Sequence, residues 1–174
     1  MSRILASKSL TVNCKSKDYR ELNDYRYIKN EKLIYQNNLV LEAIIVVQNL
    51  LSKIKFEEKE LENTGVLVNV DNVMEVFQDE FVENIYKRGI KSPMKFMNTA
   101  QNLISGIIAI TFGIEGFNCS ISDTNPKNGE IIAESLIANK ECKYVILLNM
   151  SLQNNLNAIF KKKTVNICGQ VYGY

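Results

Sequence analysis

Residues 36–54 read QNNLVLEAIIVVQNLLSKI, and this stretch narrows the possible folds more than any other. Apolar side chains point in nearly every direction around a helix drawn through it. A helix at a protein surface shows one apolar stripe, so this one must be covered on both sides. Cover of that kind comes from layers of secondary structure. The strands agree: TGVLVNV at 64–70 and the run 143–150 are apolar on both faces over most of their length. Strands of that kind lie in the centre of an α/β sheet.

The remaining elements fall between these. Residues 3–6 and 10–14 read as short strands, and the polar, tyrosine-rich stretch from Lys15 to Lys32 reads as an irregular loop. Asp71 or Asn72 can cap a helix over 73–87, which Gly89 ends. Ser92 and Pro93 supply the N-cap and first position of a helix running to 112. That helix carries Ala100, Ser105, Gly106 and Ala109, small residues that permit close approach to a neighbouring backbone. Gly113 stops it, and Gly116 allows a tight turn into a strand over Asn118–Ser122. A short helix follows at 129–139, then the strand 143–150, a polar helix or loop, and an alternating strand over Thr164–Tyr172. The expected class is α/β, a layered mixed sheet with helices, in one domain over residues 1–174.

Composition removes several functions. The chain has 174 residues, 46% apolar and 23% charged, with a net charge of +2. That balance gives no basic stripe for nucleic acid. Lys161-Lys162-Lys163 reads as a solvated turn, or as a contact for an acidic partner or phosphate. The longest apolar runs, 39–51 and 103–114, are interrupted by Glu42, Gln48, Ser105 and Gly106, so no membrane span is expected. No secretory signal is read at Met1–Leu5, and Cys14, Cys119, Cys142 and Cys168 show no CxxC spacing. Reduced thiols in a cytoplasmic protein are the expectation.

Chemistry is conspicuous by what is lacking. The 174 residues contain no histidine, the usual acid–base group near neutral pH. Mixed cysteine–histidine zinc sites are therefore excluded, the scattered cysteines make no thiolate site, and no metal or cofactor is expected. The GIEG at 113–116 lacks the spacing of a phosphate-binding loop and reads as a turn. Asp71 ends an apolar strand where α/β folds place ligands, and Asp123 follows another, yet each suits a helix cap. Cys119 lies within an alternating strand, without a helix N-terminus or a base to activate it, and reads as a packed thiol.

The order of segments resembles the N-terminal half of a β-ketoacyl synthase, of the duplicated thiolase-like fold. That family has a proline-led helix, a turn of the form FGLxGPN, an alternating strand, and then Thr-Ala-Cys at the start of a buried helix. The matching residues here are Ser92-Pro93, Asn98, Ser105-Gly106, Ala109-Ile110, Phe112-Gly113-Ile114, Gly116, Asn118 and Ser120-Ile121-Ser122. Phe117 stands where the family has proline. TGVLVNV is similar to the family's TGVVVG, and GQVYGY at 169–174 to its AEVxGYG. The resemblance covers nearly the whole chain.

Carried over by position, Thr-Ala-Cys falls on Asp123-Thr124-Asn125, followed by Pro126. The resemblance thus puts Asn125 where the acyl-accepting cysteine belongs, and an amide cannot form a thioester. Cys119 lies six positions too early. The family's further catalytic residues belong to its C-terminal half, which has no counterpart here. What the resemblance implies is a protein inactive on its own, an accessory or structural subunit near fatty-acid or polyketide-type biosynthesis. It would bind a synthase, an acyl carrier protein or an acyl chain. The alternatives are a heteromeric ketosynthase subunit whose cysteine and histidines come from another chain, and an interaction protein that left lipid metabolism. A half of a duplicated fold would leave an apolar helix layer bare, which implies a homodimer or a heteromer with a ketosynthase-like protein.

Overall fold

The computed structural model describes residues 3–13, 27–30, 38–89, 99–154 and 163–174. Ser92, Pro93, Asn98, Cys14, Lys161, Lys162, the stretch after residue 154 and most of the loop expected from Lys15 to Lys32 lie outside them.

Helix α1 spans Asn38–Lys53. Between Leu39 and Leu51 only Asn49 is exposed, so the all-round apolar pattern is explained by cover on every side. The helix lies across β1 (Arg3–Asn13) and β5 (Lys163–Gly173). It sits close: a Cβ on Gly169 of β5 would fall 2.6 Å from Val46 and 2.8 Å from Leu50. Strand β1 is one run of eleven residues, not the two short strands expected. Pairing with β5 along almost all its length supplies the continuity, and local sequence cannot show that.

A 3-10 helix at Glu58–Asn63, closed by a capping box between Glu57 and Glu60, leads into β2 (Thr64–Asp71), buried through Val70. Helix α2 spans Glu75–Arg88 and ends at Gly89, φ 65°. Neither Asp71 nor Asn72 caps it. Asp71 still belongs to the strand, Asn72 turns at φ 54°, and Met74 takes the cap position without a side-chain bond.

Helix α3 spans Leu103–Phe112 and stops at Gly113, φ 67°. Residues 99–102, expected to be helical, form a turn. Then come β3 (Asn118–Ile121), α4 (Pro126–Ala138) and β4 (Tyr144–Asn154). Helix α4 thus starts three residues before the expected 129, and β4 runs four residues past the expected 150.

The five strands form one mixed sheet in the order β1-β5-β4-β2-β3. Strand β2 is parallel to β3 and β4, while β5 is antiparallel to β4 and β1. Helices α1 and α3 cover one face, burying Val66, Val68, Ile146, Leu148, Ile167 and Val171. Helix α4 covers part of the other, over Leu67, Val145, Leu147 and Tyr172.

From Asn149, on which α4 packs, toward β1, that second face changes character. Cross-strand rows Ser9–Cys168–Asn149 and Thr11–Asn166–Ser151 lie there, because their neighbours Leu10, Ile167 and Met150 point to the α1 side. Thr11 Oγ1 donates to Asn166 Oδ1 at 2.7 Å. These six side chains are polar or weakly polar and carry no charge; burial, and then Glu130, push the Cys168 thiol up.

This corrects the expected bare apolar layer. Among the described residues α1 is enclosed. The outward ridge of α4 is Lys127, Ile131, Glu134 and Ser135, and the sheet face beside it is polar. No described helix is long and apolar enough to cross a membrane.

Candidate functional site

Strands β2, β3 and β4 run parallel and end on the same side of the sheet. The connection from β2 to β3 passes through α3 on one face, and that from β3 to β4 through α4 on the other. The carboxyl ends of strands at such a reversal are where α/β folds place ligands. Residues 122–129 leave β3 at that end and start α4.

Asn125 is extended, φ −96° and ψ 106°, and is the N-cap of α4. Its side chain accepts from the Lys127 N–H at 3.1 Å, and Pro126 takes the first helical position. The preceding residues brace this turn. Asp123 Oδ1 accepts the Asn125 N–H at 2.8 Å, and Oδ2 accepts from Asn128 Nδ2 at 2.6 Å. The Asn128 amide and the Asn125 N–H hold the Asp123 carboxyl below its ordinary pKa. Thr124 is exposed between them.

The turn is fastened to the sheet by amides. The Asp123 N–H donates to Asn69 Oδ1 at 3.0 Å, and Asn69 Nδ2 donates to Asn149 Oδ1 at 3.2 Å. Asn69 and Asn149 are opposite each other on β2 and β4. Gly129 lets α4 settle on β4: a Cβ there would lie 3.0 Å from Leu147 Cδ1 and 3.4 Å from Asn149 Oδ1.

The structure therefore brings Asp123, Asn125 and Pro126 together. It adds Asn69, Asn128 and Asn149, which sequence reasoning missed. Their signal was present: TGVLVNV and YVILLNM each carry one asparagine inside a buried apolar run, and such an amide needs partners. Asn125, not Asp123, is the cap, because the helix starts later than Asp123 can reach.

The other expected positions are structural. Ser120 Oγ donates to Ser105 Oγ at 2.9 Å, and Asn118 Nδ2 to the Ser105 carbonyl at 3.4 Å, tying β3 to α3. Gly116 is needed for close approach: a Cβ would come 2.3 Å from the Thr64 carbonyl oxygen. Gly106 has open space where its Cβ would be, so it does not serve the close approach expected of it. Cys119 is half-buried in β3 opposite Leu67, apart from the α4 N-terminus. Asp71 is half-buried at the end of β2, beside Ser151 of β4. Among the described residues no group of histidine, cysteine or carboxylate side chains could hold a metal.

No protein-family model matches the sequence, and no curated protein matches it either. Solved structures do. The ishigamide ketosynthase/chain length factor matches 87% of this chain at 12% identity, with a TM-score of 0.61. The chain has a ketosynthase-like, thiolase-type fold. A structure of a ketosynthase in complex with its chain length factor from Xenorhabdus doucetiae matches 97% of it, at 11% identity and a TM-score of 0.54. Ketosynthase twelve of the bacillaene polyketide synthase from Bacillus amyloliquefaciens matches 79%, at 13% identity and a TM-score of 0.57. The ketosynthase-like chain spans 48% of the first of these structures, 78% of the second and 28% of the third.

Proposed function

We propose that this chain is a non-catalytic ketosynthase-like subunit, working in the cytoplasm beside a synthase or acyl carrier protein in fatty-acid or polyketide-type biosynthesis. The observation that carries the reading is the role of Asn125. Its amide oxygen caps α4, and its own N–H is held by Asp123. An amide is not a nucleophile for thioester exchange, which needs an activated thiolate. The 174 residues also contain no histidine to serve as base. What stays is a braced helix N-terminus on a ketosynthase-like scaffold, suited to holding a shape that a partner reads.

The experiment is binding. The purified chain is titrated calorimetrically with a ketosynthase and with an acyl carrier protein from the same source. Micromolar or tighter binding to one of them is expected, and no binding to either sinks the proposal. Asn125→Cys serves as a control: without general-base residues it should restore little condensation activity, and an active variant would overturn the missing-histidine argument.

A heteromeric enzyme is the second reading, favoured by the similarity to a ketosynthase bound to its chain length factor. It requires condensation in the mixture that neither chain performs alone. Equal turnover with and without this chain removes it.

A further inference from the structure

We propose that Asn128 is a modification site, a place of spontaneous deamidation that the first turn of α4 holds shut while it stays folded. The inference goes beyond the accessory-subunit reading and does not depend on it.

The chemistry begins in the sequence. Asn128 is the one asparagine in the 174 residues that a glycine follows. Deamidation starts when the backbone nitrogen of the next residue loses its proton and attacks the asparagine Cγ. The new C–N bond closes a succinimide ring, and the Cγ–Nδ2 bond breaks with loss of ammonia. Water then opens the ring at either carbonyl. The product is aspartate or, with an extra methylene in the backbone, isoaspartate. Glycine favours the attack, because it has no Cβ to crowd the nitrogen and its backbone turns freely. Asn125, in the same turn, is spared, since Pro126 has no N–H to supply.

Packing is why a glycine stands there. A Cβ at 129 would lie 3.0 Å from Leu147 Cδ1, so close contact of α4 with β4 favours the residue that opens Asn128 to this reaction. The fold answers with three restraints. Asn128 and Gly129 are helical, and the ring closes only when ψ of Asn128 leaves the helical value of about −42°. Asn128 Nδ2 donates to Asp123 Oδ2 at 2.6 Å, which fixes the side-chain amide on the loop before the helix. The Asn128 N–H donates to the Asn125 carbonyl at 3.1 Å. Yet Asn128 is only half-buried, and the turn lies at a helix end, where local opening is least costly.

Conversion is one-way. The Asp123 carboxylate loses the amide that donates to it and meets a second carboxylate in its place. Isoaspartate also lengthens the backbone where α4 begins. The turn that carries Asn125 then cannot reclose as before, and the bond from the Asp123 N–H to Asn69 loses its brace.

The purified chain is incubated at mildly alkaline pH, folded and in denaturing urea, and peptide mapping by mass spectrometry follows each asparagine. In denaturing urea residue 128 should convert ahead of every other asparagine. In the folded chain its rate should be lower by about tenfold or more. That folded rate should stay level in urea below the unfolding transition, because opening one turn exposes little surface. Asn125→Ala removes the cap oxygen and should raise the folded rate about fivefold; circular dichroism verifies that the variant folds. The urea series on the parent tests the gate without any substitution. Equal rates in the folded and unfolded chains overturn the proposal, and so does an unfolded chain that leaves residue 128 intact. A folded rate that climbs with urea as global unfolding does, or one that Asn125→Ala leaves unchanged, overturns it as well. None of these outcomes touches the test of binding to a ketosynthase or carrier protein.

Discussion

Asparagine is the residue on which the candidate site turns, because one amide can donate and accept at once. Asn69, 3% exposed, takes the Asp123 N–H with its oxygen and gives its N–H to Asn149. Asn125 caps the helix, and Asn128 closes on the Asp123 carboxylate. That carboxylate is the charged member, and its pKa lies below the ordinary value through the Asn128 and Asn125 bonds. A lowered folded pKa contributes stability above the unfolded value, lost as pH falls through the folded one. Asp123→Asn should therefore be less stable than the parent at pH 7, with the gap closing below about pH 4. Urea titrations across pH measure this, and a gap that stays constant to pH 2.5 would refute it. At this scale the resemblance set Asn125 where that family carries a cysteine, but did not give its job. Capping depends on where α4 begins, and Pro126 at the first helical position was the readable cue.

Elements were legible where their pattern was local. Gly89 and Gly113 end α2 and α3 in the left-handed turn expected of them. Residues 99–102 were not legible, because small and polar side chains there permit a helix without requiring one. The glycines of the β3 approach separate two causes that sequence cannot distinguish. Gly116 is pressed against the Thr64 backbone, while Gly106 of α3 faces open space. Gly116→Ala should cost about 3 kcal/mol, the upper end for overpacking, since backbone cannot rotate away. Gly106→Ala should stabilise by about 0.5–1 kcal/mol, the usual gain in a helix. Chemical denaturation of the two variants checks both signs, and matched effects would show that the α3–β3 packing is misjudged.

For the whole molecule, the enclosed α1 helix was readable from residues 36–54, since its lack of a polar stripe demanded cover. The asymmetry of the sheet was not readable. The alternation of β5 over Thr164–Tyr172 was readable, but that its polar face lines up with those of β1 and β4 appears only from the register, and the register comes from long-range pairing. Leu50, wholly buried on the side of α1 that packs on β5, should lose about 2–5 kcal/mol on change to alanine. Thr11→Ala, on the charge-free face, should lose no more than about 1 kcal/mol. Equal losses in urea would mean that both faces are packed alike. The strand order carries a consequence for synthesis. Arg3 pairs with Gly173 and Asn13 with Thr164, so β1 has its partner only after β5 has left the ribosome. Until then β1 waits with its backbone donors and acceptors open, the condition in which strands pair with the wrong chain. Made before the other described strands, β1 is among the last of them to be secured.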